Sequence, residues 1–261
     1  MSIDFTIVFV AHAGHEILER TLPQNLEAIC AGTRQRTDVI LSVDGYESES
    51  VDTGRMLRLA RSAGVDEVRF RSRRRNCASG DGSNNGHVHH IVERSPYLLA
   101  IEEDVVLFRT DPSFDLLSEV RALFERHPRL AVATRMDDTE DWVWKLAQAG
   151  PDFEPGIRSV NRVASHFLLY DVARARRRLL DTGNFRLDFF HDTPDRWMNY
   201  EDLVSTTFAE PHGPGIAFLD RFPIRVYHCD RKVAPGSVHY SKDPAVKLAE
   251  LERHRRQSWP S

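Results

Sequence analysis

The chain predicts an α/β protein: one Rossmann-like, mixed but mainly parallel sheet flanked by helices. Two observations carry this expectation. Apolar, β-rich runs alternate with stretches of helical periodicity in the amino-terminal half, and reactive residue types fall where the strand-like runs end. A hydrophobic share of 41% in 261 residues is ample for one core, so a single domain over residues 1–261 is expected.

Phe5 to Ala11 is a continuous β-rich run, as expected of a parallel strand covered on both faces, and it ends at His12-Ala13-Gly14. Leu18, Leu22, Leu26 and Ile29 then make one face of a helix, within which Pro23 is expected to kink or restart the pattern. Asp38 to Val43 reads as a second strand ending at Asp44-Gly45, followed by a helix through Met56, Leu57, Leu59 and Ala60. A third strand, Val65 to Phe70, leads into the basic run Arg71-Ser72-Arg73-Arg74-Arg75-Asn76. Past a Gly/Ser/Asn stretch, a short helix precedes the fourth strand, Tyr97 to Ile101. Such alternation favours an open parallel sheet, whose ligands sit at the carboxyl ends of the strands.

The second half is less regular. Leu116, Leu117, Val120, Leu123 and Phe124 mark a helix, and Leu130 to Thr134 a strand. Asp137 to Ile157, acidic with Trp142 and Trp144 and then rich in Pro and Gly, reads as a long loop or lid. Ser165 to Tyr170 reads as a strand, Val172 to Leu180 as a strongly basic helix, and Asn199 to Phe208 as a helix carrying Glu201-Asp202. Ile216 to Leu219 and Ile224 to His228 are closing strands, and the charged tail from Lys242 a surface helix.

A net charge of −4 argues against a general nucleic-acid binder. The three cysteines, Cys30, Cys77 and Cys229, are too scattered for a disulfide framework or a zinc ribbon. The first apolar run lacks the basic lead of a signal peptide, and no stretch approaches a membrane span, so a reduced, cytoplasmic protein is expected.

The strongest chemical signal is Glu102-Glu103-Asp104, set between Tyr97–Ile101 and Val105-Val106-Leu107-Phe108. Carboxylates rarely stand beside a core strand unless a cation or a reaction requires them. A second acidic pair, Glu201-Asp202, and a histidine closing an apolar strand, His228, follow much later. Oxygen ligands with one imidazole suit Mg²⁺ or Mn²⁺. Such an ion steadies a diphosphate while a separate carboxylate does proton chemistry. His87 and His90 share a helical face, but no cysteine pair completes a zinc site around them.

This ordered set resembles the GT-A fold glycosyltransferases. The order and spacing are similar to the inverting family 2 enzymes; Leu41-Ser42-Val43-Asp44-Gly45 and Ile101-Glu102-Glu103-Asp104-Val105 also resemble motifs of the N-acetylglucosaminyltransferase I type. The usual Asp-x-Asp is here Glu102-x-Asp104, and the Arg-Asn element before the fourth strand is replaced by Asn84-Asn85. The resemblance implies a metal-dependent, inverting transfer of sugar from a nucleoside-diphosphate donor, UDP-linked, to a small-molecule or saccharide hydroxyl. It implies a nucleotide-sugar half over residues 1–108, an acceptor and catalytic half over 109–241, and a tail over 242–261.

On that reading Asp104 and His228 bind Mn²⁺ or Mg²⁺. Asp202 is the general base, with Glu201 its alternative or an acceptor ligand. Asp44 accepts from the uracil N3–H and His12 lines the base pocket. Glu102 contacts ribose or a metal-bound water, with Glu103 beside it. Arg73 and Arg75 reach the nucleotide or diphosphate, and Arg231 and Lys232 belong to a loop folding over the diphosphate. Trp142, Trp144 and Trp197 either stack on sugar or acceptor rings or are ordinary core. Two other functions remain open. A sugar-phosphate nucleotidyltransferase shares a related sheet, though Ala11-His12-Ala13-Gly14-His15-Glu16 lacks its Gly-rich, basic signature. A non-catalytic nucleotide-sugar-binding module would need Asp104 but not Asp202.

Overall fold

Strand β1 (Phe5–His12) is the axis of the molecule: Phe5 to Ala11 are buried on both faces and apolar except for Thr6, and a parallel strand pairs with it on each side. The computed structural model describes residues 2–12, 17–44, 53–72, 95–135, 149–163, 166–182, 200–209 and 215–228, with 249, 252, 253 and 256 of the tail. The elements that follow β1 are α1 (Leu18–Cys30), β2 (Thr37–Asp44), α2 (Thr53–Ala63), β3 (Glu67–Ser72), β4 (Tyr97–Glu102) and β5 (Val105–Arg109). Then come α3 (Leu116–Arg126), β6 (Val132–Thr134), β7 (Ala149–Glu154), β8 (Ile157–Val160) and β9 (Phe167–Asp171). The chain closes with α4 (Val172–Asp181), α5 (Tyr200–Phe208), β10 (Ile216–Phe218) and β11 (Ile224–His228).

The main sheet has the order β3-β2-β1-β4-β9-β6-β10-β8-β7. Its amino-terminal half, β3 to β4, is parallel as the alternation predicts; β9 enters antiparallel to β4 and makes the sheet mixed. One face packs on α1, α2 and α3 through residues such as Phe9, Leu41, Leu22 and Phe124. The other packs on α4 and α5 through Val10, Leu168, Tyr170, Leu179 and Phe208.

Three expectations are corrected. Helix α1 is continuous from Leu18 to Cys30, so the pattern does not restart at Pro23. The lost amide bond is offset because the buried side chains around it are anchored: Thr21 donates to the Glu103 carbonyl (2.6 Å) and Asn25 to that of Val105 (2.7 Å). The stretch read as a loop to Ile157 contains the hairpin β7–β8 at the sheet edge, because β8 finds an antiparallel partner in β10. Residues 137–148 lie outside the described residues. Strand β11 does not close the main sheet but pairs antiparallel with β5 in a separate two-stranded ribbon. The helix expected over Asn199 to Phe208 is described from Tyr200 to Phe208, with Glu201-Asp202 inside its first turn as expected. The short helix expected before β4 lies outside the described residues.

Candidate functional site at the carboxyl edge of the sheet

Strand registers decide what meets at this edge. His12 and Asp44 are direct partners across β1 and β2, and Glu102 is paired with Val10 across β1 and β4. In a sheet alternate residues share a face, so Glu102 belongs to the face of Val10, the one α4 and α5 cover, and the backbones of His12 and Asp44 lie beside it at the strand ends. The edge thus gathers, by backbone position, three of the residues singled out from the sequence.

Beyond Glu102 the chain turns through Glu103-Asp104 into β5. Both residues of the turn are buried, at 4% and 6% exposure, whereas Glu102 is half-buried. The turn is held from below and from the side. Glu103 N–H donates to the Val10 carbonyl (3.0 Å), and the Thr21 hydroxyl donates to the Glu103 carbonyl. Asn25 spans the start of β5, donating to the Val105 carbonyl while accepting from Leu107 N–H (2.9 Å). Gln24 adds a bond to the Leu107 carbonyl (3.3 Å). These polar side chains were missed in the sequence, yet a signal existed. Thr21 and Asn25 interrupt the apolar stripe of Leu18, Leu22 and Ile29, and a buried polar residue there must have a partner.

The register of β11 on β5 sets His228 opposite Val105, immediately after Asp104. Two residues far apart in sequence are therefore near neighbours by backbone position. Helix α5 approaches from the opposite face. The Ser205 hydroxyl accepts from Val163 N–H (3.2 Å), ahead of β9, while the Phe208 ring packs on Tyr170 near the amino end of β4. Its first turn, with Glu201 and Asp202, is thereby directed toward the carboxyl edge. His12, Asp44, Glu201, Asp202 and His228 are located here by backbone alone. Arg73, Arg75, Arg231, Lys232, Trp142, Trp144, Trp197, His87, His90, Asn84 and Asn85 lie outside the described residues. Among the described residues no group of three or more His, Cys, Asp or Glu gathers as a metal site.

Two further buried polar residues stand at this edge. His166 (5% exposed) has its carbonyl bonded by Glu102 N–H (3.2 Å), which brings β9 alongside the acidic turn. Arg135, at the end of β6, donates to the carbonyls of Leu219 (2.6 Å) and Asp220 (3.0 Å) and so fixes the chain leading into β11. Neither belongs to a recognisable sequence motif.

A parallel β3-β2-β1-β4 half joined through an antiparallel β9 to a mixed half, with carboxylates at the joint, is a GT-A fold. Among solved structures, the chain is similar to S. aureus TarS 1-349 in complex with UDP-GlcNAc. That match has TM-score 0.55 and 15% identity, covering 92% of this chain and 62% of that one. A second structure of S. aureus TarS 1-349 matches with TM-score 0.51 and 10% identity, over 86% of this chain and 60% of that one. The chain thus spans about three fifths of those proteins, and at such identities the likeness is one of fold. No protein-family model matches the chain, and no curated protein sequence does.

Proposed function

We propose that the chain is a glycosyltransferase that moves a sugar from a nucleoside-diphosphate donor, UDP-linked, to an acceptor hydroxyl with inversion, aided by Mn²⁺ or Mg²⁺. The observation that supports this reading is the β5–β11 register, which pairs His228 with Val105, the residue that follows the buried acidic turn. The UDP-GlcNAc complex of TarS, sharing the fold, supports the donor class.

The donor set fits a divalent ion: a hard carboxylate oxygen and an imidazole, with room in the shell for diphosphate oxygens and water. Asp104 and His228 would hold it. When bound, the ion acts as a Lewis acid that neutralises charge on the departing diphosphate. The remaining work belongs to the chain. Asp44 accepts from the uracil N3–H and His12 lines the base. Glu102, with Glu103, completes the ribose side, and its extra methylene relative to Asp extends its reach. Arg73, Arg75, Arg231 and Lys232 supply guanidinium and ammonium donors to the phosphates. Asp202 takes the proton of the acceptor hydroxyl as the new C–O bond forms, with Glu201 orienting the acceptor or taking that role. Attack from the side opposite the leaving group inverts the anomeric centre.

Thermal-shift measurements with UDP-, GDP-, dTDP- and CDP-sugars, with and without Mn²⁺, test the reading. Ligand binding raises the melting temperature by mass action, so a UDP-sugar with Mn²⁺ is expected to stabilise the chain most. Stabilisation by nucleoside triphosphates alone would transfer the assignment to a nucleotidyltransferase. No response to any nucleotide would remove the nucleotide-dependent readings altogether.

A further inference from the structure

The strongly basic helix α4 takes no part in the edge just described. A concavity of about 170 Å³ opens at the other end of the sheet, where β6 and β10 begin. Arg174, Arg177 and Arg178 line it from α4, Arg129 joins them from the loop after α3, and Phe208 adds an apolar wall. Among the described residues one carboxylate, Asp181, lines the same space, and Asp171 stands behind it, ion-paired with Arg174 (3.2 Å). The chain as a whole carries −4, so this concentration of positive charge is local.

Two of these guanidiniums are fixed by the fold. Arg174 Nη1 donates to the carbonyls of Phe124 (2.9 Å), His127 (3.0 Å) and Leu130 (2.9 Å), and Arg178 Nε to that of Thr207 (3.0 Å). Arg177 is different, being exposed and making no hydrogen bond or ion pair with the described residues. Placing it beside its neighbours costs repulsion that an anion would offset. Pre-fixed guanidiniums also lose little side-chain entropy on binding. The space exceeds what a single water needs, at about 30 Å³ of liquid volume each.

We infer that this concavity is a second ligand site, taking a small phosphate-bearing anion the size of a diphosphate. It is separated from the acidic turn by the length of β4 from Tyr97 to Glu102, about 17 Å at ~3.3 Å per residue. The site does not depend on the donor reading.

Calorimetric titration of inorganic pyrophosphate into the full chain, in EDTA at low salt, tests it. The expected result is one-site binding that Arg177→Glu weakens about tenfold or more, the size of a lost charge-assisted hydrogen bond. Arg176→Glu, on the same helix but outside the concavity, is expected to change affinity less than about twofold. Asp104→Asn is expected to change nothing. Melting curves of the variants verify that they fold. Absence of binding by the wild-type chain overturns the site, as does equal binding by Arg177→Glu. Equal losses in Arg176→Glu would reduce it to a diffuse field, and tighter binding by Asp104→Asn, which removes a repelling carboxylate, would move the anion to the acidic turn. Failure of the donor reading shows instead in the nucleotide-sugar melting shifts.

Discussion

Asn25 shows how a single buried amide sets the geometry of the acidic turn. Its side chain satisfies both a carbonyl and an amide of β5, and it is fully buried. Asn25→Ala leaves both backbone groups unpaired, and each such group costs about 1–3 kcal/mol. The expected loss is about 2–6 kcal/mol in urea unfolding, with weaker Mn²⁺-dependent donor binding because Asp104 is part of the same turn. A loss under about 1 kcal/mol would mean water or a neighbour replaces the bonds. Glu154 gives a second residue-scale prediction. Its carboxylate accepts from Arg126 (2.8 Å), His127 and Arg221 (3.1 Å). The Arg126 bond, with that of His127 and their charges, holds its pKa down from 4.5 to about 2 against the opposing effect of burial. A depressed carboxyl stabilises the fold at pH above its unfolded value. That contribution fades as pH falls from about 4.5 toward about 2. Glu154→Gln is expected to lower stability at neutral pH and flatten the acid limb in this window. An unchanged acid limb would show the cluster to be without energetic consequence.

At the scale of elements, the β7–β8 hairpin depends on Gly156. Its φ is +71°, and a Cβ there would come within 2.6 Å of the Arg221 Cβ. Gly64 has a similar φ of +75° but open space around it. Gly156→Ala is therefore expected to cost more than Gly64→Ala: about 2–4 kcal/mol against about 1 kcal/mol. Paired thermal melts check this, and equal costs would show that Arg221 yields freely. This hairpin was also the least legible part of the fold. The segment Ala149-Gly150-Pro151-Asp152-Phe153-Glu154 reads as turn chemistry, and only its pairing with β8, which pairs with β10, makes it a strand. The strands β1, β2 and β4 were legible because burial on both faces leaves a continuous apolar run. In β11, composition disclosed a strand but not its partner, since periodicity says nothing about register across distant segments. The candidate site divides the same way. His12, Asp44 and Glu102 are strand ends, and strand ends can be read from a run of residues. Thr21, Asn25, His166 and Arg135 act through contacts with remote backbone, which no local pattern records.

For the molecule as a whole, the sheet joins two sets of residues at one edge. The parallel strands bring His12, Asp44 and Glu102, and the later elements bring the first turn of α5 and the end of β11. If the proposed division of labour holds, donor binding and proton transfer are separable by mutation. Asp104→Asn weakens the ion's hold on the diphosphate, so both the Mn²⁺-dependent melting shift and turnover are expected to fall. Asp202→Asn keeps the donor side intact but cannot accept the acceptor's proton, so the shift is expected to persist while turnover drops about 10²–10⁴-fold, the usual worth of a general base. Glu201→Gln distinguishes the neighbours: a smaller loss in turnover, concentrated in the KM for acceptor, assigns it to orienting the acceptor. Turnover unchanged in Asp202→Asn but abolished in Glu201→Gln would exchange their roles. A full Mn²⁺-dependent shift surviving in Asp104→Asn would detach the ion from the β5–β11 turn, and with it the proposed role of this edge in holding the donor.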